Sequence, residues 1–124
     1  MVDMINFSIG QSAKIDTTIT PDLTINRVGK KGAEVLSTPS LLMLMEQCSI
    51  KASDPYLPKN HTTVGYAVDK LRHLAPSSVG ASVQVVATLE EIDRNRLTFL
   101  IEAFEGTTSI GIATHKRAVI PKDS

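Results

Sequence analysis

One carboxylate in this sequence calls for an explanation in terms of chemistry. Glu46 directly follows an unbroken apolar run over residues 41–45. Successive side chains of a helix point about 100° apart, so such a run covers every side of a helix. A helix that is apolar all round is normally buried. We therefore expect Glu46 to lie in or beside a core, where a carboxylate is costly unless it is paired. It then reaches a solvated edge, pairs with a cation such as Arg72 or Lys51, or acts as a general base or nucleophile.

Two further side chains are candidates to work with this carboxylate. Thr38 precedes Pro39, a combination typical of a helix start with Thr as N-cap and Pro at the first helical position. Thr38 and Glu46 are eight residues apart, close to two turns, so they project to similar sides about 12 Å apart along the axis. Substrate, water or a second subunit must therefore bridge them. His73 can orient a carboxylate or move a proton. The alternatives are a plain N-cap for Thr38 and a solvent-facing position for His73.

One helix and several strands must position these residues. The helix is predicted from Thr38 to about Ala52, stopping before Pro55, and residues 21–34 are predicted to form a loop. Alternating apolar residues predict extended segments over residues 7–20, 62–74, 81–92, 97–104 and 109–120. The segment 93–96 is predicted to be a hairpin turn, with Asn95 suited to a left-handed conformation.

This order predicts an α+β fold that forms a single domain over residues 1–124. A flat sheet on one side cannot hide one apolar helix, whereas a curved antiparallel sheet wrapped around it covers more. A second copy would cover the remaining surface and pair the open sheet edges, which predicts a homodimer. Other α+β folds remain open on periodicity alone.

Composition excludes several classes of function. The formal net charge is zero, aromatic residues make up 4% and Trp is absent, so we expect no nucleic-acid partner. We expect no membrane span, because no apolar run approaches the roughly 20 residues that a bilayer requires. The N-terminus does not resemble a signal peptide, and the single Cys48 cannot form an internal disulfide, so a cytoplasmic location is predicted. Cys48 itself is interpreted as a buried helix residue rather than a nucleophile. The histidines are too dispersed for a metal motif, and we expect no metal and no cofactor.

Several short segments recur in a known order and spacing. They are residues 34–39, 44–46, 63–65, 73–76, 79–80 and 111–119. In this combination the sequence resembles the fluoroacetyl-CoA-thioesterase-like family of hot-dog fold acyl-CoA thioesterases, over roughly residues 7–120. The hot-dog fold is also the architecture of a curved antiparallel sheet around one long central helix. The resemblance implies acyl-CoA hydrolysis in a dimer whose active sites lie at the subunit interface.

The resemblance also implies roles for individual residues. Thr38, Glu46 and His73 match the family's catalytic group, and Gly65 matches a glycine whose backbone N–H helps polarise the thioester carbonyl. Arg117 is a candidate for substrate binding. We also considered Lys30, Lys31, Arg72 and Lys116 as partners for the phosphates of coenzyme A, whereas His115 is interpreted as structural.

A thiol is a good leaving group, with a pKa of about 8.5, so a strong general acid is less essential than in amide hydrolysis. The predicted function is therefore that of an acyl-CoA thioesterase with Glu46 as base or nucleophile. The alternative is a non-catalytic protein of the same fold that binds acyl-CoA or another acyl ligand. A hydratase-type enzyme of this fold is disfavoured, because the Asp-Xaa-Asn-Pro-Xaa-His arrangement of such enzymes is absent.

Overall fold

A computed structural model describes residues 2–25 and 33–122 of the chain. Its main elements in chain order are β1 (Ser12–Thr18), α1 (Thr38–Ser53), β2 (His61–His73), β3 (Ser82–Asp93), β4 (Arg96–Glu105) and β5 (Thr108–Pro121). Short 3₁₀ helices, Pro21–Leu23 and Asp54–Tyr56, lie before and after α1. Within the described ranges, no helix has the length and apolar character needed to cross a bilayer. The predicted lysine pair, Lys30 and Lys31, lies outside the described residues.

The strands form one antiparallel sheet in the order β1-β3-β4-β5-β2. The sheet curves around α1, which contacts every one of these strands. This is the predicted α+β arrangement of a curved antiparallel sheet around one long helix. β1 and β2 are the outer strands, and each leaves one edge unpaired within the described part of the protomer.

The core lies between the helix and the inner face of the sheet. Side chains alternate between the two faces of a strand, and the predicted inward row of β3 is buried as expected: Val83, Val85, Ala87 and Leu89. On β5, Gly111 allows the helix to approach closely. A Cβ added there would lie 2.8 Å from Cδ2 of Leu41 and 3.2 Å from Cε of Met45.

The helix is not buried all round, which corrects the expectation drawn from its apolar run. Met43 and Ile50 are 41% and 37% exposed in the protomer. Both lie on the side that the sheet leaves open, because residues seven apart return to the same side of a helix. Glu46 follows Met43 by three positions and belongs to the same stripe. The carboxylate therefore lies along the border between the covered and the uncovered side of α1.

The turn between β3 and β4 differs from the prediction in one detail. Arg94, at the first turn position, adopts the left-handed conformation with φ of 57°, whereas Asn95 does not. A two-residue hairpin turn can require a positive φ at the first position alone. The Asn95 side chain instead donates from Nδ2 to the carbonyl of Val119 at 3.0 Å, which ties the turn to β5.

Candidate active site

Thr38 and His73 meet at the beginning of the helix. Thr38 is the first residue of α1 rather than its N-cap, which is Ser37. The Ser37 hydroxyl accepts a hydrogen bond from the backbone N–H of Ser40 at 3.2 Å, so the capping role predicted for Thr38 belongs to its neighbour. Because Thr38 does not cap the helix, its hydroxyl is available to another partner. That partner is His73, with 2.9 Å between Thr38 Oγ1 and His73 Nδ1.

His73 is the last residue of β2, where the strand pairs with Gly111 of β5. Burial lowers the pKa of His73 below its usual value, so the imidazole is neutral at neutral pH. Its Nε2 atom is buried and has no hydrogen-bond partner among the described residues. A neutral imidazole has one donor and one acceptor nitrogen. The pair therefore retains one buried polar atom that forms no hydrogen bond with the described residues.

Glu46 lies beside a second group of polar residues, on β5. Its Oε2 atom is 3.9 Å from Nε2 of His115 and 3.9 Å from Nη1 of Arg117. Both distances exceed the range of a hydrogen bond. Within the described ranges, the carboxylate accepts no hydrogen bond and is 41% exposed. It is thus half-buried, close to a cation and still open to a ligand.

The pairing of Glu46 with Arg72 or Lys51, considered from the sequence, does not occur in the described structure. Lys51 instead donates from Nζ to the backbone carbonyl of Lys14 at 2.7 Å. Arg72 donates to the carbonyl of Leu71 at 2.9 Å. The cation near Glu46 is therefore Arg117.

His115 and Arg117 are both buried, with 2% and 4% of their surface exposed. Arg117 donates from Nε to the Thr63 hydroxyl at 3.0 Å and from Nη2 to the Thr63 carbonyl at 3.2 Å. Its Nη1 lies 3.1 Å from Nε2 of His115. Burial lowers the pKa of Arg117, although a guanidinium keeps its proton at neutral pH. Arg117 is thus a fixed positive charge pointed towards the site of Glu46.

Gly65 lies directly against this pair. A Cβ added at Gly65 would come within 2.9 Å of Cε1 of His115 and 3.0 Å of Nη1 of Arg117. Real Cβ atoms do not approach side chains so closely, and both neighbours are buried and cannot move away freely. The sequence suggested a role for the backbone N–H of Gly65. The structure adds a steric requirement, since only glycine leaves room for His115 and Arg117 behind β2.

The structure therefore divides the predicted site residues into two groups. Thr38 and His73 lie at the start of α1, whereas Glu46, Gly65 and Arg117 lie about two turns further along the helix. His115, which is predicted from the sequence to be structural, is buried and also lies in the second group. A signal for it exists in the alternation of β5, because His115 and Arg117 occupy the same face as the buried residues Ala113 and Val119.

The other candidates are placed away from these groups. Cys48 is buried, and its thiol contacts the carbonyls of Ala13 at 3.4 Å and Val85 at 3.3 Å. Burial raises the pKa of this thiol, which makes it a poor nucleophile, as predicted. His61 is half-buried at the start of β2, with Nδ1 2.8 Å from the carbonyl of Lys59. The described residues contain no group of three or more metal-ligating side chains.

Comparison with known proteins gives consistent results. Residues 19–123 match the family described as fluoroacetyl-CoA-specific thioesterase. A fluoroacetyl-CoA thioesterase of Streptantibioticus cattleyicolor is 30% identical over 118 residues, covering 90% of this chain and 84% of the relative. A crystallised variant of the fluoroacetyl-CoA-specific thioesterase, in complex with fluoroacetate and CoA, is similar with a TM-score of 0.82 and 29% identity. That match covers 93% of this chain and 96% of the other. A thioesterase superfamily member of Thermus thermophilus has a TM-score of 0.84 and 30% identity over 93% of this chain and 85% of its own.

The sheet, the central helix and these solved structures define a thioester hydrolase of the hot-dog fold. This result confirms the fold and the class of enzyme predicted from the sequence. The family match covers most of the chain, and the chain therefore belongs to the fluoroacetyl-CoA-specific thioesterase family.

Proposed function

We propose that this protein hydrolyses acyl-CoA thioesters, with Glu46 as general base or nucleophile and with Thr38 and His73 as its catalytic partners. One observation carries the assignment of Glu46. Its half-exposed carboxylate accepts no hydrogen bond from the described residues, yet lies 3.9 Å from the buried guanidinium of Arg117. A carboxylate that lies near a positive charge but accepts no hydrogen bond is suited to act on water or on a carbonyl carbon.

Glu46 can start the hydrolysis of a thioester by either of two routes. In the base route, Glu46 takes a proton from water while the water oxygen attacks the thioester carbonyl carbon. The carbon–sulfur bond then breaks, and coenzyme A leaves as a thiolate that becomes a thiol on protonation. In the nucleophile route, the carboxylate attacks the carbonyl carbon itself, and the carbon–sulfur bond breaks to release the coenzyme A thiolate and leave a mixed anhydride. Water then hydrolyses this anhydride, which releases the acid and restores the Glu46 carboxylate. Both routes place negative charge on the carbonyl oxygen, which requires hydrogen-bond donors.

Thr38 and His73 are positioned to supply such donors. Thr38 opens the helix, where free N–H groups and the helix dipole favour negative charge. The contact between Thr38 Oγ1 and His73 Nδ1 at 2.9 Å orients the hydroxyl. Because the imidazole is neutral, it can take or give a proton at Nδ1 through this contact with the Thr38 hydroxyl. We therefore assign to this pair the orientation of the carbonyl oxygen or of the attacking water.

We further propose that the active form is a homodimer, with Thr38 and His73 of one protomer facing Glu46 of the partner subunit. Eight residues of helix separate Thr38 from Glu46, about 12 Å along the axis, which is too far for both to act directly on one carbonyl group. The open side of α1 carries the exposed apolar residues Met43 and Ile50 on either side of Glu46. A second copy laid over this side would bury them and bring a second helix start towards Glu46.

The edge strand β2 supports the same arrangement. It leaves one edge unpaired within the described protomer, and its outward side chains Val64 and Tyr66 are 46% and 47% exposed. Open edges and exposed apolar residues are features that association of identical chains removes. We therefore expect pairing along β2.

We propose that Arg117 and Gly65 contact the substrate near the thioester, beside Glu46. The phosphates of coenzyme A call for surface cations, and Arg72 and Lys116 remain candidates for that role. The described segment before the helix, residues 33–37, contains no aromatic side chain to shape a small pocket for a halogen. Our proposal therefore covers acyl-CoA as a class and not fluoroacetyl-CoA in particular. We also propose a cytoplasmic location, as expected for a chain whose single cysteine cannot form an internal disulfide.

The test is thiol release from a panel of acyl-CoA substrates, followed with a thiol-reactive dye. Wild-type protein should hydrolyse at least one substrate, and Glu46→Gln should lower kcat by about 100-fold or more, because the amide cannot accept the proton. Glu90→Gln, an exposed glutamate of β3, is the matched control and should keep full activity. Saturable binding of acyl-CoA without thiol release would favour the binding-protein alternative. Full turnover by Glu46→Gln would reject the role of this residue.

A further inference from the structure

His115 and Arg117 occupy a row of the sheet that is otherwise apolar. They alternate on β5 with outward-facing residues and share the inner face with Ala113 and Val119. Two buried polar side chains in a core row require hydrogen-bond partners, and both have them. Their contacts with each other and with Glu46 indicate more than structural support.

The partners of His115 define its protonation state. Its Nδ1 lies 2.9 Å from the backbone carbonyl of Ala67, which can only accept, so Nδ1 must carry the proton. Its Nε2 lies 3.1 Å from Nη1 of Arg117, which can only donate, so Nε2 must carry a lone pair. Together the two contacts require the neutral tautomer with its proton on Nδ1. Burial lowers the pKa of His115, in agreement with this neutral form.

The neutral tautomer gives Arg117 an acceptor other than Glu46. The guanidinium donates to Thr63 through Nε and Nη2, and to His115 through Nη1. Arginine and a carboxylate left to themselves form direct hydrogen bonds at roughly 2.8 Å. Here the distance from Nη1 to Oε2 of Glu46 is 3.9 Å. The imidazole and Thr63 thus hold the guanidinium back from direct contact with the carboxylate.

We propose that His115 is a positioning residue: as the neutral Nδ1–H tautomer it holds Arg117 short of a direct ion pair with Glu46, which keeps the carboxylate free to react. The catalytic consequence rests on the proposed function. Without the imidazole acceptor, the buried Nη1 of Arg117 would lack a partner, and Glu46 is the acceptor within reach. The carboxylate would then be tied in a direct ion pair and lose reactivity.

Gly65 contributes to the same arrangement of His115 and Arg117. Its missing side chain leaves the space in which Cε1 of His115 and Nη1 of Arg117 lie side by side. The Ala67 carbonyl that orients the ring follows two residues later on β2, across a register shift between Gly65 and Ala67. The irregularity in the edge strand and the position of the imidazole are therefore linked.

The kinetic test compares two substitutions that differ in one property. His115→Phe keeps a ring but removes the acceptor, whereas His115→Gln keeps an acceptor that can reach Arg117. We expect His115→Phe to lower kcat by roughly 10- to 100-fold with a much smaller change in KM, because the base is mispositioned rather than the substrate lost. His115→Gln should recover most of this loss. Equal kcat for wild type and His115→Phe, or no recovery in His115→Gln, would overturn the proposal.

A second measurement does not depend on activity. In ¹⁵N-labelled wild-type protein, a long-range ¹H–¹⁵N spectrum of the histidine rings should show His115 protonated at Nδ1 and unprotonated at Nε2. The signals are assigned by their absence from the spectrum of His115→Gln. An Nε2–H tautomer or an imidazolium at neutral pH would overturn the proposal. Failure of wild-type protein to hydrolyse any acyl-CoA would instead count against the proposed function and leave this spectrum as the test of the geometry.

Discussion

The two groups of polar residues along α1 differ in the distances between their proposed catalytic residues and the nearest polar side chains. At the helix start, Thr38 and His73 are joined by a direct contact of 2.9 Å. Further along, Glu46 is held 3.9 Å from both His115 and Arg117. The first group is fixed by its own hydrogen bond, whereas the carboxylate of Glu46, the proposed base, accepts no hydrogen bond from the described residues. An orienting pair benefits from rigidity, and a base benefits from a lone pair that no protein group occupies.

The two groups also differ in the parts of the chain that form them. The helix start combines a local signal, because Ser37 caps the helix and leaves the next hydroxyl free, with a contact to His73 at the end of β2. The group around Glu46 depends on long-range packing, because α1 meets β5 and β2 there. A local defect should therefore damage the first group alone, whereas a change in strand packing should damage the second.

At the helix start, the largest expected effect comes from removing the imidazole of His73. His73→Ala should lower kcat by roughly 100-fold, the usual range for loss of an acid–base group. Because burial lowers the pKa of His73, the wild-type rate that depends on the neutral imidazole should persist below about pH 6.5, where a free imidazole titrates. That rate should be lost only as pH falls through the lowered pKa. A pH–rate profile checks this, and an acid limb above pH 7 would contradict it.

A smaller effect is expected at Gly65. Gly65→Ala keeps the backbone N–H but places a Cβ 2.9 Å from Cε1 of His115, which should displace the ring and lower kcat about tenfold. The ring should then lose the tautomer signature in its ¹⁵N spectrum. Unchanged kcat would mean that Gly65 acts through its N–H alone. The His73 signals serve as the internal control, because the helix-start group should be unaffected.

The smallest expected effect distinguishes the N-cap role of Ser37 from the proposed catalytic role of Thr38. Ser37→Ala removes the N-cap contact with Ser40 and should reduce the free energy of unfolding by about 1 kcal/mol. Thr38→Ala should change stability much less while lowering kcat. Chemical denaturation and thiol release on the same samples measure both quantities. A larger loss of stability in Thr38→Ala than in Ser37→Ala would restore the N-cap role expected from the sequence.

Much of the fold was predictable because strand alternation and the helix signals are local. The inward row of β3 and the helix from Thr38 follow directly from residue order. The cap was misassigned because Ser37 and Thr38 are both good N-cap residues, and only the backbone conformation distinguishes them.

The environment of Glu46 was not predictable in the same way. Its neighbours His115 and Arg117 follow it by about 70 residues, and only the sheet order brings β5 under that part of the helix. Arg72 and Lys51 were candidates because they are closer in sequence. The tautomer of His115 depends on the Ala67 carbonyl, and therefore on a register shift in β2 that residue types do not reveal.

Complementation between two inactive variants tests whether two protomers complete one active site. The double variant Thr38→Ala/His73→Ala and the single variant Glu46→Gln should each be nearly inactive alone. When the two are unfolded, mixed in equal amounts and refolded, about half of the dimers should be mixed. Each mixed dimer should contain one intact site, so activity should rise to about a quarter of the wild-type value. Activity no higher than that of the separate variants would contradict the claim, because it would mean that Thr38, His73 and Glu46 of a single protomer serve the same site.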